Sequence, residues 1–397
     1  METQALTTID TAGIWRLQQR GLIAAVAGLV VGGVGVLMDR SQLAPSLLIG
    51  FWFCTGLSLG SLALLMLQHM SGGQWGLVTR RIFEAGTRNL PLVALMFLPI
   101  LFGMPTIFEW ARPEAAQNAI IQAKAGYLNT TFFIVRAVIY FAFWMLLVTL
   151  LNKWSGEQDR GQGTTPADSV RFRTVSAPGL LFLVLTVTFA SVDWIMSLDP
   201  EWFSTIFGLL TIAGWGLTTF ALTIIVLTML ERSGVGSGIL SKRHFHDLGK
   251  LMLAFTMLWA YLSFSQFLII WSGNLPEEIP WYVHRTTGSW GYVAIALVVG
   301  HFFLPFTLLL SQDLKKRPKL LSRVAFFIIC MRLLDLIWLV EPNFRPGTSF
   351  PIHWMDLAIP LGLLGIWLSF YARNLRSRAL LPVNDPYFRE AFAHEAH

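Results

Sequence analysis

Three carboxylates lie close together in the apolar stretch SVDWIMSLDPEWFSTIFG, residues 191–208. Asp199 and Glu201 flank Pro200 and form a typical helix start, because carboxylates there accept hydrogen bonds from the first turn and face the positive end of the helix dipole. Asp193 lies six residues earlier, about 9 Å away along a helix, where an ionised carboxylate needs a partner, water or a proton. Asp193 is therefore a candidate for proton chemistry.

A second group of ionisable residues lies in two later apolar stretches. The segment CMRLLDLIWLV places Arg332 and Asp335 three residues apart, on one face of a helix. Such a pair either locks helix packing or holds a protonatable acid whose pKa the arginine lowers. His301 lies in VVGHFFLPF, and three roles remain open for it. It is either a neutral imidazole hydrogen-bonded to a neighbouring helix, or a proton relay, or a contact for a quinone head group.

Two further charges lie nearer to the ends of apolar stretches. Asp356, in PIHWMDLAIP, is better explained by local capping or by reaching towards the membrane surface. Arg136 either reaches the interface or pairs with Asp193. No catalytic or metal-ligating residue is predicted, and the candidate proton path consists of Asp193, His301, Arg332, Asp335, Asp356 and Arg136.

The composition is that of a membrane protein. Of the 397 residues, 54% are hydrophobic and only 13% are charged, whereas soluble proteins carry about a quarter of charged residues. The two cysteines are too few for an iron–sulfur cluster, which needs about four thiolates, and no CxxCH motif for covalent haem is present. A haem held by two histidines is disfavoured because His301 has no second histidine at similar depth. We therefore expect no redox cofactor bound by this chain.

Apolar runs predict an all-α membrane protein with a single domain, residues 1–397, and about ten transmembrane helices. The predicted spans are 21–38, 46–67, 90–108, 131–151, 179–198, 202–229, 249–272, 289–310, 320–341 and 352–371. Two links, 71–91 and 233–250, mix glycine, basic and large apolar residues with only faint sequence similarity, and precede the third and seventh spans. Each is a candidate for a short amphipathic segment in the headgroup layer. This placement predicts two four-helix bundles, spans 2–5 and 6–9, with spans 1 and 10 outside them.

The distribution of basic residues predicts the orientation in the membrane. Twenty of the 29 Lys and Arg residues lie in the termini and in the loops on the same side as the termini. Because basic loops stay in the cytoplasm, we expect both termini, the loop 152–178 and the tail 372–397 to be cytoplasmic. The net charge of +6 then reflects topology and gives no indication of nucleic-acid binding.

Four segments of the sequence carry a resemblance to a known family. They are ASVDWIMSLDPEWFSTIFG, HDLGKLMLAFTMLWAYLSFSQFLIIWSGNLPEE, HFFLPFTLLLSQD and PVNDPYFREA. Over roughly residues 70 to 392, the chain resembles the smaller of the two polysulfide-reductase-like (NrfD-like) membrane subunits of bacterial alternative complex III, a quinol:electron-acceptor oxidoreductase.

The resemblance implies a place in an electron-transport complex of the bacterial inner membrane. The expected partners are a larger NrfD-like subunit, an iron–sulfur subunit, multihaem and monohaem cytochromes, and lipids. Haem and iron–sulfur clusters would belong to these partners, and the larger NrfD-like subunit is the better candidate for productive quinol oxidation. For this chain, the intramembrane polar residues favour a subunit that anchors the peripheral subunits and forms a proton path.

Two other functions remain open from the sequence. His301 or Asp193 could accept a proton from a quinol bound directly to this chain. Buried acids also occur in proton-coupled transporters, although the prolines that interrupt the spans are not in matched pairs. A scaffold whose buried charges only fasten helices together is the simplest alternative.

Overall fold

The computed structural model describes residues 11–234, 240–345 and 352–388, and these residues form helices and turns without any β-strand. The expected tail 372–397 is therefore described only as far as residue 388, and the link 233–250 only outside residues 235–239. Eleven long helices give the fold its frame: α1 Thr11–Met38, α2 Leu43–Ser71, α3 Gln74–Thr87, α4 Leu90–Phe102, α5 Thr130–Asp159, α6 Pro166–Trp194, α7 Phe207–Arg232, α8 Lys242–Gly273, α9 Gly288–Leu310, α10 Pro318–Val340 and α11 Met355–Arg376.

Shorter helices connect these elements. Four are α-helical, at Met104–Ile107, Ala119–Ala123, Ile279–Thr286 and Gln312–Lys315. Five are 3-10 turns, at Arg40–Gln42, Glu109–Ala111, Pro113–Gln117, Met196–Leu198 and Glu341–Asn343. Within α9, the segment Val298–Phe303 is a π-helical turn.

Nine helical segments among the described residues are long and apolar enough to cross a membrane. Helices α3 and α4 together make one of them, Gln74–Phe102, and α10 is not among the nine. Helix α10 has 23 residues but carries Lys319, Arg323, Arg332 and Asp335, which lower its hydropathy. The chain is thus an all-α, multi-pass membrane protein.

The helices pack as two rings joined along one seam. In the first ring, α2 contacts α3, α4 and α6, and α5 closes the ring between α4 and α6. In the second ring, α7 contacts α8 and α10, and α9 closes the ring between them. Helix α7 also packs against α2 and α6 of the first ring, which makes the seam.

Helices α1 and α11 form an antiparallel pair that packs on α2 at the edge of the first ring. Their close approach depends on small residues: a Cβ added at Gly28 would overlap the Cα of Gly362, and one added at Gly21 would lie 2.9 Å from the backbone oxygen of Gly365. The hydrophobic effect does not draw helices together within a bilayer, because lipid tails are as apolar as the side chains. Small residues let membrane helices approach closely, and the resulting van der Waals contact stabilises their association.

Two connections differ from the sequence predictions. Helix α7 begins at Phe207, so Asp199, Pro200 and Glu201 do not start it, contrary to the prediction. The segment before α7 is held in a loop because Trp202 is buried and stacks on Trp281 with ring centroids 4.3 Å apart. A local capping pattern could not reveal this long-range stacking.

Most of the segment 152–178, expected to be a loop, is helical. Helix α5 continues to Asp159, and α6 begins at Pro166, so that only residues 160–165 connect them. Thr165 and Asp168 form a capping box at the start of α6, with Pro166 in the first helical position. This arrangement favours an early helix start, and polar turns extend both helices beyond their apolar parts.

Candidate functional site

Arg136 and Asp193 form a buried ion pair between α5 and α6. Arg136 donates from Nε to Asp193 Oδ2 at 2.9 Å and from Nη2 to Asp193 Oδ1 at 2.8 Å. Tyr140 adds a hydrogen bond from its hydroxyl to Asp193 Oδ2 at 2.9 Å. The carboxylate of Asp193 is fully buried and therefore has three donors that compensate the loss of water.

Tyr127 also contacts the Arg136 side chain and holds it in place. The Arg136 guanidinium lies 3.9 Å from the centre of the Tyr127 ring and donates to the Tyr127 carbonyl at 2.9 Å. Asp193 is the last residue but one of α6, so it lies near one end of the bundle and less deeply than the sequence suggested. The pair has the geometry of a structural ion pair that holds α5 and α6 together, here called a helix fastener.

His301 is the most unusual polar side chain of the second ring. It lies in the π-helical turn of α9, is fully buried, and has no hydrogen-bond partner on Nδ1 or Nε2. Its ring centre lies 3.9 Å from that of Trp259 on α8. Buried polar groups nearly always have partners, and π-helical turns occur often at functional sites, so His301 is a candidate functional residue.

Arg332 and Asp335 form an ion pair on α10, as their spacing predicts. The guanidinium of Arg332 lies against Gly214 of α7, where a Cβ would overlap it, and its Nε has no partner. The π-helical turn with His301 packs on α10, and Gly300 lies against the sulfur of Met331. The structure thus brings His301 and the Arg332–Asp335 pair into one region of the second ring, here called the His301 cluster.

Asp356 belongs to a different group, at the end of the molecule where α2 and α11 begin. Its Oδ1 accepts from Gln42 Nε2 and from the Ser46 hydroxyl, both at 2.7 Å, and its Oδ2 accepts from the backbone N–H of His353 at 2.9 Å. The last of these bonds ties Asp356 to the backbone just before α11. Gln42 Nε2 also donates to Glu341 Oε1 at 2.7 Å.

Glu341 is a buried acid whose importance the sequence did not reveal. It follows the last residue of α10, is fully buried, and its Oε2 has no partner. Burial and the neighbouring Asp356 carboxylate raise the pKa of Glu341 to about 9. Only the fold brings this acid next to Asp356, so spacing along the chain could not have indicated the pair.

The largest ion-pair network lies at the opposite end of the first ring, called the basic end because most Lys and Arg residues lie in its loops. On α3, buried Glu84 pairs with Arg80 at 3.0 Å and with Arg81 at 2.7 Å. Arg80 also pairs with Asp385 of the C-terminal segment at 2.6 Å. This network is not among the sequence predictions, although Arg80 and Arg81 stand four and three residues before Glu84 and indicate it by their spacing.

The six predicted path residues therefore fall into three places. Arg136 and Asp193 lie in the first ring, the His301 cluster lies in the second, and Asp356 lies near α1. Within residues 11–234, 240–345 and 352–388, no hydrogen bond or ion pair joins the three places. A single continuous chain of side chains is thus absent from that part of the molecule, and a path through it would need water.

The described residues offer no evident metal site. No group of three or more His, Cys, Asp or Glu side chains in this part of the chain is arranged to hold a metal ion. Cys54 is buried and Cys330 is exposed, and both are free thiols.

Comparison with known protein families gave no matching family model, and comparison with curated proteins gave no match.

Proposed function

We propose that this chain is a ten-span subunit of a quinol-oxidising electron-transport complex in the bacterial inner membrane. Helix α10 would be the tenth span, because its 23 residues suffice to cross a bilayer and it is an integral member of the second ring. Of its charges, Arg332 lies buried against Gly214 and pairs with Asp335, whereas Lys319 and Arg323 are exposed in its first two turns. Both termini would then lie in the cytoplasm, in agreement with the basic loops.

The location of the motifs that resemble NrfD-like subunits supports this assignment. The first motif contains Asp193, the third contains His301, and the fourth contains Asp385, which pairs with Arg80. The first and fourth motifs thus form ion pairs and the third holds a buried imidazole, which an ordinary lipid-facing helix does not need. The partners would be the larger NrfD-like subunit, the iron–sulfur subunit and the multihaem and monohaem cytochromes, which would carry the haem and iron–sulfur clusters of the complex.

Within such a complex, the chain would anchor the peripheral subunits and conduct protons through the His301 cluster. The observation that carries this proposal is the fully buried His301 with two unpartnered ring nitrogens beside a buried arginine–aspartate pair. An imidazole can accept a proton on one nitrogen and release one from the other, and Asp335 supplies a nearby carboxylate. Water in this region would complete the path.

Membership in the complex is tested by purification in a mild detergent. We expect the chain to co-purify with cytochromes, so that the preparation is red, and to lose all haem absorbance when it is isolated from them. Purification of an active chain free of cytochromes would contradict the proposal and favour a proton-coupled transporter.

Direct quinol binding is a second candidate, and the position of Trp259 against the His301 ring is the observation that favours it. An aromatic ring and a free imidazole nitrogen are a suitable environment for a quinone head group. Labelling of Trp259 or its neighbours by a photoreactive quinone would support this candidate. Labelling confined to the larger sister subunit would exclude it.

A further inference from the structure

An apolar groove and a polar cleft lie one after the other along α2 and α6. The groove has a volume of about 150 Å³ and lies at the seam between the rings, lined by α2, α6, α7 and α8. The cleft has a volume of about 550 Å³ and lies at the basic end, between α2, α3, α6 and the C-terminal segment. Neither belongs to the His301 cluster or to the Arg136–Asp193 pair.

Helical spacing places the two spaces in line along the same helix faces, and together they are called the track. On α2, Gly60, Leu64 and Leu67 line the groove and Ser71 lines the cleft, at intervals of four, three and four residues. Such intervals place side chains on one face of a helix.

Helix α6 repeats this arrangement from the other direction. Ser169 and Arg173 line the cleft, and Leu180 and Val184 line the groove, at intervals of four, seven and four residues. Both helices thus present one stripe that is apolar within the bundle and polar at its end. A ligand that fits the whole track must be amphiphilic.

The walls of the groove are apolar along its length. Its lining includes Ala63 and Gly60 of α2, Val184 of α6 and Phe255 of α8. Several of these side chains are only half-buried, so the groove is open towards the lipid phase. It therefore suits a hydrocarbon chain.

The cleft offers groups that favour an anion. Arg173 is exposed, forms no ion pair within the described ranges, and lies with its guanidinium 5.9 Å from the Tyr387 ring centre. The one acid on the wall, Asp385, is already paired with Arg80. Arginine pairs well with phosphate because its planar fork donates two parallel hydrogen bonds.

The start of α3 forms another wall of the cleft. Gly72 and Gly73 have φ values of +67° and +95°, and Gly73 caps α3 without a side chain. Gln68, which is 5% exposed, lines the same space, and its side-chain oxygen has no partner. The positive end of a helix dipole attracts anions, and an unpartnered buried amide calls for a polar ligand.

We propose that this track binds one anionic phospholipid, with a phosphate-containing head group in the cleft beside Arg173 and an acyl chain in the groove. The lipid would span the seam between the two rings at the basic end. It would stabilise their packing, since its acyl chain contacts helices of both rings.

The test uses native mass spectrometry of the chain in its purified complex, after delipidation and titration with dioleoylphosphatidylglycerol or dioleoylphosphatidylcholine. We expect one phosphatidylglycerol to bind in preference to phosphatidylcholine. Arg173→Gln should lower its affinity about tenfold, the usual effect of losing one charge-assisted hydrogen bond, and Arg173→Lys should retain most of it. Arg317→Gln is the matched control, since Arg317 is exposed at the basic end but lies outside the cleft.

A second variant tests the groove. Ala63→Phe should fill it and weaken the binding of both lipids, whereas Val138→Phe, on a lipid-exposed face of α5, should not. Glycerol phosphate at the same concentration should not displace the lipid. Equal affinity in Arg173→Gln and the parent protein, displacement by glycerol phosphate, or preferential binding of decylubiquinone would each overturn the proposal. Because the readout is lipid binding, its failure would leave the proton-path proposal untouched.

Discussion

The Arg136–Asp193 pair shows how a membrane protein keeps a charge away from lipid. The two side chains satisfy each other by two parallel hydrogen bonds, and Tyr140 supplies a third donor to the carboxylate. The sequence identified both residues and offered their pairing as one of two explanations for Arg136. It could not decide between them, because the choice depends on how α5 and α6 are rotated against each other.

Removing one partner of this pair should be costly. We expect Asp193→Asn to lower the free energy of unfolding by about 3–5 kcal/mol, because it leaves the buried Arg136 without a counter-charge. The double variant Arg136→Met with Asp193→Leu should recover a large part of this loss. Thermal unfolding in detergent measures both effects, with Arg40→Ala as the exposed control. Equal stability of Asp193→Asn and the parent protein would show that the pair is not a fastener.

Glu341 gives the stability a dependence on pH. Its pKa is raised from an ordinary value near 4.5 to about 9 by burial and by Asp356. Between these two pH values the folded state holds a proton on Glu341 that the unfolded state has released, so the contribution of Glu341 to stability falls as the pH rises from about 4.5 to about 9. Glu341→Gln should flatten this part of the curve of unfolding temperature against pH. If the curve of the variant kept the slope of the parent protein, the pKa of Glu341 would not be raised as stated.

At the scale of the helices, the hydropathy pattern predicted the existence of the spans better than their ends. All ten predicted spans correspond to helices, but α5 and α6 extend through polar turns, and α7 begins later than predicted. The composition of the link 71–91 makes it a candidate for a short amphipathic segment in the headgroup layer. Instead α3 is buried, because Glu84 neutralises Arg80 and Arg81 and allows all three side chains to leave water.

The antiparallel contact between α1 and α11 should depend on glycine. Gly28→Leu should lower the free energy of unfolding by about 1–3 kcal/mol or detach α1, since its side chain would overlap the backbone of Gly362. Gly33→Leu is the matched control on the same helix, because a Cβ there would meet nothing within 4 Å. Protease sensitivity and thermal unfolding of the two variants measure the difference. If both variants had the same protease sensitivity and unfolding temperature, the stability of the protein would not depend on the close contact between α1 and α11.

At the scale of the whole molecule, the helices hold separate groups of buried charge: the Arg136–Asp193 pair, the His301 cluster, Glu341 with Asp356, and the network around Glu84. Those in the membrane were found from sequence because a charge stands out in an apolar run, as His301 and Arg332 do. Glu341 and the network around Glu84 were missed because their neighbours in sequence look like ordinary span ends or loops. Their burial follows from contacts over long distances in the chain, such as the bond between Gln42 and Glu341.

The proton-path proposal depends on the His301 cluster, and the most direct test is the number of protons released per quinol oxidised by the complex in liposomes. We expect His301→Gln and Asp335→Asn to lower this ratio while the Arg317→Gln control leaves it unchanged. If both variants oxidise quinol and release protons in the same ratio as the parent complex, the cluster is only a helix fastener and conducts no protons.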